Sequence, residues 1–165
     1  MKKYSPLIIS LLLVLLTGFD SEPYWGQYKP VFMLRSELEK NVKLEEPKSI
    51  QDPGKIYIKD HLIFINEKYR GIHVIDNSNP ENPSNLVFIS VDGCIDIAVK
   101  DNILYADNAV DLIAVRFNQS LMNFEVTKRI KNVFPELIAP DGRNLSWQER
   151  RAIQDGAVLV RWDKN

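Results

Sequence analysis

A mainly β chain is predicted, with two four-stranded propeller-like blades, an incomplete β-propeller, and short flanking helices. Three observations predict it. The stretch from Gly54 to Val91 divides into four short apolar runs separated by turn residues. The same pattern returns between Ile95 and Asn132, 40 to 41 residues downstream. Two helix-start signals, Ser36-Glu-Leu-Glu39 and Ser146-Trp-Gln-Glu149, fall outside this pair. A period of about 40 residues carrying four strands is the sequence signature of a propeller blade. The chain accordingly divides into a leader (1–19), an extension with a short helix (20–53), a first repeat (54–93), a degenerate second repeat (94–133) and a closing loop, short helix and strand (134–165).

The leader opens with the basic Met1-Lys-Lys-Tyr-Ser-Pro6, and Leu7 to Leu16 is apolar apart from Ser10. This reads as a secretory signal peptide, too short for a membrane span of about 20 residues. Leu16-Thr17-Gly18 is what precedes the lipidated cysteine of a bacterial lipoprotein, but position 19 is Phe. Without that sulfur no thioether to a diacylglycerol forms, so no lipidation site is assigned. A cut after Gly18 would place the bulky Leu16 at a position that signal peptidase prefers small, so inefficient cleavage or a retained weak anchor is expected.

Asp20 to Pro30 is polar and aromatic, with Tyr24, Trp25 and Tyr28 close together. These rings suit packing against the β-domain better than a carbohydrate- or membrane-facing cluster. The Ser36/Glu39 capping box predicts a helix from about Glu37 to Asn41, ended by Glu45-Glu-Pro47, and Pro53-Gly54 turns into the first strand.

In the first repeat, Gly54-Lys-Ile-Tyr-Ile-Lys-Asp60 alternates as a half-exposed strand does, and Leu62-Ile-Phe-Ile65 is an unbroken apolar run. Ile72-His-Val-Ile75 and Leu86-Val-Phe-Ile-Ser-Val91 supply the third and fourth strands. Between them lies Asp76-Asn-Ser-Asn-Pro80-Glu-Asn-Pro83. Its prolines cannot donate to a ladder and its Asp and Asn side chains bond neighbouring amides, so it is a loop. Ile56, Ile58, Leu62, Ile63 and Phe64 fall on Ile97, Val99, Ile103, Leu104 and Tyr105 at a shift of 41. One residue then drops out, Gly71–Ile75 falls on Asp111–Val115 at a shift of 40, and Phe124–Ile130 is the fourth strand.

The closing segment has turn chemistry at Pro140-Asp-Gly142. It continues with a second capping box that opens a helix through about Gln154, a stop at Asp155-Gly156, and a strand over Ala157–Trp162.

Gly71-Ile-His-Val-Ile-Asp76 followed by Asn-Ser-Asn-Pro-Glu-Asn-Pro resembles the signature of the LVIVD-repeat proteins, and the second copy resembles it only in degenerate form. In that copy Arg116-Phe-Asn118 replaces the Asp-containing turn. The resemblance extends to Tyr24-Trp-Gly26 and to the segment from Phe134-Pro-Glu to Pro140-Asp-Gly. It implies a secreted or surface-anchored bacterial protein with a propeller fold, and it carries little chemistry. Because two blades cannot close a ring of about four to eight, the chain is expected to be the front part of a longer protein. Otherwise the flanks cover the open faces, or copies associate.

Composition narrows the partners. Without the leader, Lys2 and Lys3 drop from the 21 basic residues, leaving 19 against 22 acidic ones, a net charge near −3. That argues against nucleic acid, and Lys128-Arg-Ile-Lys131 is at most one strand's exposed face. Cys94, the one cysteine, cannot form a disulfide within the chain and is expected to be an inert turn or core residue.

Candidate sites are weak. His61 and His73 have no cysteine or carboxylate at ligand spacing, so zinc is not expected. Aspartates 92, 96, 101, 107 and 111 cluster in the second repeat without an oxygen-rich calcium loop. Ser78, Ser84 and Ser90 lack a glycine elbow. Glu67 and Asp107, near the ends of their second strands, could bring two carboxylates together near an axis, but are expected only to terminate exposed strand ends. Asn118-Gln-Ser120 and Asn144-Leu-Ser146 match a glycosylation pattern that carries no weight behind a bacterial-type leader. No catalytic, cofactor or metal residue is assigned.

The function expected is therefore an exported binding or scaffolding module of the bacterial cell envelope (periplasm, outer membrane or surface), with an unknown protein or glycan ligand and no cofactor. Membrane association through the leader and self-association through unclosed faces accompany that reading. The alternatives are a fragment of a propeller hydrolase or lyase whose active-site blades are missing, and a non-functional remnant.

Overall fold

The computed structural model describes residues 26–118 and 124–165. The expected leader, Tyr24, Trp25 and Ser120 lie outside the described residues. The described chain is mainly β. Its elements are β1 (Tyr28–Leu34), α1 (Arg35–Lys40), β2 (Lys43–Glu45), β3 (Pro53–Lys59), β4 (Leu62–Glu67), β5 (Gly71–Asp76) and β6 (Ser84–Ser90). They continue with β7 (Ile97–Lys100), β8 (Ile103–Asn108), β9 (Asp111–Phe117), β10 (Phe124–Ile130), α2 (Trp147–Arg151) and β11 (Ala157–Lys164). The strands form three open sheets, ordered β2-β6-β5-β4-β3, β10-β9-β8-β7 and β1-β11.

The two larger sheets repeat one another in register. Ile56 faces Ile65 and Ile58 faces Ile63 in the first, and Ile97 faces Ala106 and Val99 faces Leu104 in the second. The left-handed residues repeat too. Asp60 and Asp101 turn the first hairpins (φ 56° and 55°), and Tyr69 and Ala109 sit in the next turns (φ 64° and 57°). Asp tolerates that region because its short side chain bonds locally, whereas Tyr69 and Ala109 are held there by their surroundings. The residue lost between repeats comes out of the second turn, since Glu67 pairs with Gly71 but Asn108 with Asp111.

One core joins the two sheets. Phe64, Ile72, Val74 and Ile89 from the first pack with Leu104, Ile113, Val115 and Phe117 from the second. The Phe64 and Phe117 rings lie 5.6 Å apart in a tilted pair. Each such side chain stabilises the fold by about 1.5–3 kcal/mol relative to exposure. β3 lies against β7, and Lys55 bridges to Asp96 at that seam.

The flanks differ from the sequence reading. Residues 28–34 and 43–45 are strands, so the extension adds a fifth strand to the first sheet and half of a ribbon. Pro30 is tolerated because a two-stranded ribbon leaves its outer edges unpaired. The Ser36 capping box does not form. α1 begins at Arg35 with Leu34 as N-cap and no side-chain cap, because β1 pairs with β11 up to Leu34 and the Arg35 amide donates to Gly156 O (2.8 Å). The Ser146/Glu149 box does form, on a helix ending at Arg151 rather than near Gln154. The last strand completes the ribbon by pairing with β1. One ribbon face packs Val160 against Leu38 and Ala109, and the other packs Leu159 and Trp162 against Leu137 and Leu145.

The Asp76–Pro83 loop forms as its residues dictate. Asp76 Oδ1 accepts from the Ser78 amide (2.8 Å), and Asn79 Oδ1 from the Glu81 amide (3.2 Å).

Candidate functional site

A cleft of about 540 Å³ lies between the outward face of the four-stranded sheet and residues 134–138. Strand alternation places Ala98, Tyr105 and Leu112 on that face, opposite the core residues Leu104 and Ile113. The covering segment hangs from the sheet end, where the Val133 and Phe134 amides both donate to Val110 O (2.8 and 3.0 Å). Phe134 and Ile138 supply the other wall, Leu137 anchors the segment in the ribbon core, and Ile95 and Ile138 stay exposed at the rim.

One buried acid, Asp107, sits in this apolar cleft. Its Oδ1 accepts from the Ile95 and Asp96 amides (2.9 and 2.8 Å). Burial pushes its carboxyl above the ordinary range, and those two amides offset only part of that cost. The cleft therefore offers apolar and aromatic contact around an acid that ionises reluctantly. Such a site suits an apolar group carrying a hydrogen-bond donor or cation.

Glu67 is also buried, on the outward face of the other sheet, so neither acid merely ends an exposed strand. Nor do they occupy equivalent positions: Asp107 pairs with Leu112 as Asn66 does with Ile72, and Glu67 matches Asn108. They therefore project from opposite faces of the repeat and form no carboxylate pair. Glu67 accepts from the Gln51 and Asp52 amides (3.0 and 2.6 Å) and lies 3.0 Å from His73 Nε2. Burial acts to raise its pKa, but the amides and His73 outweigh it and leave it lowered. Spacing along the chain hid this His–Glu contact, because β4 and β5 bring the two residues together across a ladder.

Ser90, His73 and Glu67 line one polar recess of about 640 Å³ with Lys48 and Arg70. They do not form a nucleophile–base relay: His73 Nε2 is engaged by Glu67, and the buried Nδ1 has no hydrogen-bond partner. Ser78 bonds Asp76, and His61 lies exposed in the β3–β4 turn.

The remaining aspartates disperse. Asp92 accepts from Asn41 Nδ2 (3.1 Å), Asp96 pairs with Lys55, and Asp101 lies exposed in its turn. Asp111 is buried and receives Arg35 through both oxygens (2.9 and 2.7 Å), Arg129 (2.9 Å) and the Asn132 amide (3.0 Å). Burial opposes its ionisation, yet these donors hold its carboxyl below the ordinary range. Among the described residues no group of three or more His, Cys, Asp and Glu is placed to hold a metal. Cys94 is buried beside Asn66 Nδ2 (3.3 Å), and burial raises its thiol well above the ordinary value, which keeps it unreactive.

The sequence reading passed over Tyr105, Phe134 and Ile138 as cleft residues. The available signal was the apolar content of Phe134-Pro-Glu-Leu-Ile138 inside a segment with loop chemistry. Among the described residues no helix is long and apolar enough to cross a membrane. Comparison of the chain with protein-family models, with curated proteins and with solved structures yields no match in any of the three.

Proposed function

We propose that this chain is a binding and scaffolding module of the bacterial cell envelope, exported by its leader and built from propeller-like repeats of the LVIVD type. The register shared by the two sheets, down to the left-handed turn residues, supports the blade reading. The observation that carries the binding role is the cleft, an apolar and aromatic concavity with one reluctant acid in it. Its ligand is an apolar side chain of a partner protein or the apolar face of a sugar, held against Tyr105 and Phe134.

The test uses the neutral fluorophore N-phenyl-1-naphthylamine. Its fluorescence rises on titration with the full chain, and Leu112→Arg or Ile138→Asp removes the rise. An unchanged response in both variants refutes the cleft as the binding surface. Export is tested separately by cell fractionation. With Phe19→Cys, metabolic labelling with a fatty-acid analogue marks the variant and not the parent, and equal labelling of both refutes the lipobox reading.

A further inference from the structure

The first sheet carries an apolar face that no described residue covers. Alternation puts Ile56, Ile58, Ile63, Ile65 and Ile75 together on its outward side, and Ile56 and Ile58 are largely exposed. The segment 46–52 covers only the other half of that side, where Lys48 lies over the Phe88 ring at 4.4 Å and the Gln51 and Asp52 amides reach Glu67. A bare patch of isoleucines on a sheet is an interaction surface or an aggregation hazard.

The chain contains the template for what fits it. At the repeat shifts of 41 and 40, the five isoleucines fall on Ile97, Val99, Leu104, Ala106 and Val115. All five of those are buried against the first sheet's inner face, which includes Phe64, Ile72 and Val74. That inner face has its own repeat equivalent in Tyr105, Leu112 and Ala114, on the outward side of the second sheet. The molecule therefore holds one buried joint between its sheets and, at its two ends, both halves of the same joint, one bare and the other flanked by residues 134–138 across the cleft.

We infer that a second copy of this chain docks there, the isoleucine face of one molecule on the Ala98-Tyr105-Ala114 face of the next. The contact is head-to-tail, and it rests on the cleft reading above because Ala98 and Tyr105 line that cleft. Charge agrees with this arrangement. Lys55 and Asp96 bridge the internal joint, and each is the repeat equivalent of the other, so the joint between copies sets Lys55 of one molecule beside Asp96 of the next. A face-to-face pairing of two isoleucine patches would lack this complement. Heterologous contacts close into rings when their rotation allows. With two sheets per copy and propellers of about four to eight blades, closure falls at about two to four copies.

The experiment is light scattering coupled to size exclusion on the full chain and two variants. Ile56→Asp/Ile58→Asp removes one half of the joint, and Ala98→Arg, at an exposed position, blocks the other. The parent is expected to run as a discrete assembly of at least two copies. Each variant alone should run as a monomer, and the two mixed should recover a 1:1 dimer through the one intact pair of faces. That recovery also shows that both variants are folded. A monomeric parent at its highest soluble concentration overturns the inference, as does an assembly that survives in either variant or a mixture that stays monomeric. A monomeric parent whose response to N-phenyl-1-naphthylamine is lost in Leu112→Arg leaves the cleft reading standing, whereas one whose response is absent or unchanged in that variant loses both.

Discussion

Ile56 and Ile58 are 61% and 65% exposed, while Ile97 and Val99, at the same ladder positions one repeat later, are 7% and 3% exposed. The hairpins share register, turn residue and strand polarity, so nothing local separates the two pairs. The difference is what lies above them: Ile97 and Val99 face the first sheet, and Ile56 and Ile58 face no described element. Period-2 patterning identifies which side chains share a face, but only the neighbour decides whether that face is covered.

An aspartate at each of two equivalent positions breaks the comparison most sharply. Val99→Asp puts an unpaired carboxylate into the joint between the sheets and is expected to cost more than about 4 kcal/mol, enough to unfold a marginal domain. Ile58→Asp should change stability by less than about 0.5 kcal/mol when measured in dilute solution. Urea denaturation followed by circular dichroism gives both values. Equal losses would mean that the isoleucine face is covered.

A second equivalent pair, Gly71 and Asp111, contrasts backbone with charge. Asp111→Ala leaves Arg35 and Arg129 facing each other without their carboxylate and is expected to cost about 3–5 kcal/mol. At Gly71 (φ +150°) an added Cβ would lie 2.1 Å from the carbonyl oxygen of Ile89, so Gly71→Ala should cost about 1–3 kcal/mol through backbone displacement. Denaturant midpoints at low and high salt separate the two causes. The Asp111→Ala loss should shrink as salt screens the paired guanidinium groups, and the Gly71→Ala loss should not change.

The repeats were legible in the sequence because their order comes from local signals. Apolar runs, Pro80 and Pro83, Asp60 and Asp101 at the hairpin turns, and the Ser146/Glu149 box all act within a few residues. The flanks were less legible because distant partners organise them. β1 is a strand through pairing with β11 at the far end of the chain, and this pairing fixes the start of α1 and leaves the Ser36 box unused. The Val31-Phe-Met-Leu34 run was the one local hint. Burial of Glu67 and Asp107 could not be read from spacing, because the amides that satisfy them belong to the linkers entering β3 and β7.

Those two acids sharpen the comparison with the smallest effect and with opposite signs. Glu67 has a folded pKa below its ordinary 4.5. Its contribution to stability is present above that value and is lost as pH falls through the folded pKa. Asp107 has a folded pKa above its ordinary 3.8, so its contribution is complete below that value and is lost as pH rises through the folded pKa. At neutral pH Glu67→Gln should therefore destabilise the fold by about 1–2 kcal/mol. Asp107→Asn should be neutral or stabilising by about 1 kcal/mol or less, since an amide oxygen can still accept from Ile95 and Asp96. The Asp107→Asn difference should vanish as pH falls below the folded pKa of Asp107, and the Glu67→Gln difference should shrink only as pH falls through the lowered folded pKa of Glu67, as thermal melts on acidification from pH 7 would record. A stabilisation by Asp107→Asn that is lost on acidification would identify Asp107 as an acid the cleft holds at a cost, and a cationic group bound there would remove that cost. If Asp107→Asn instead destabilised the fold at neutral pH, the acid would be a structural cap like Glu67, and the cleft's preference for a donor or cation would lose its physical basis.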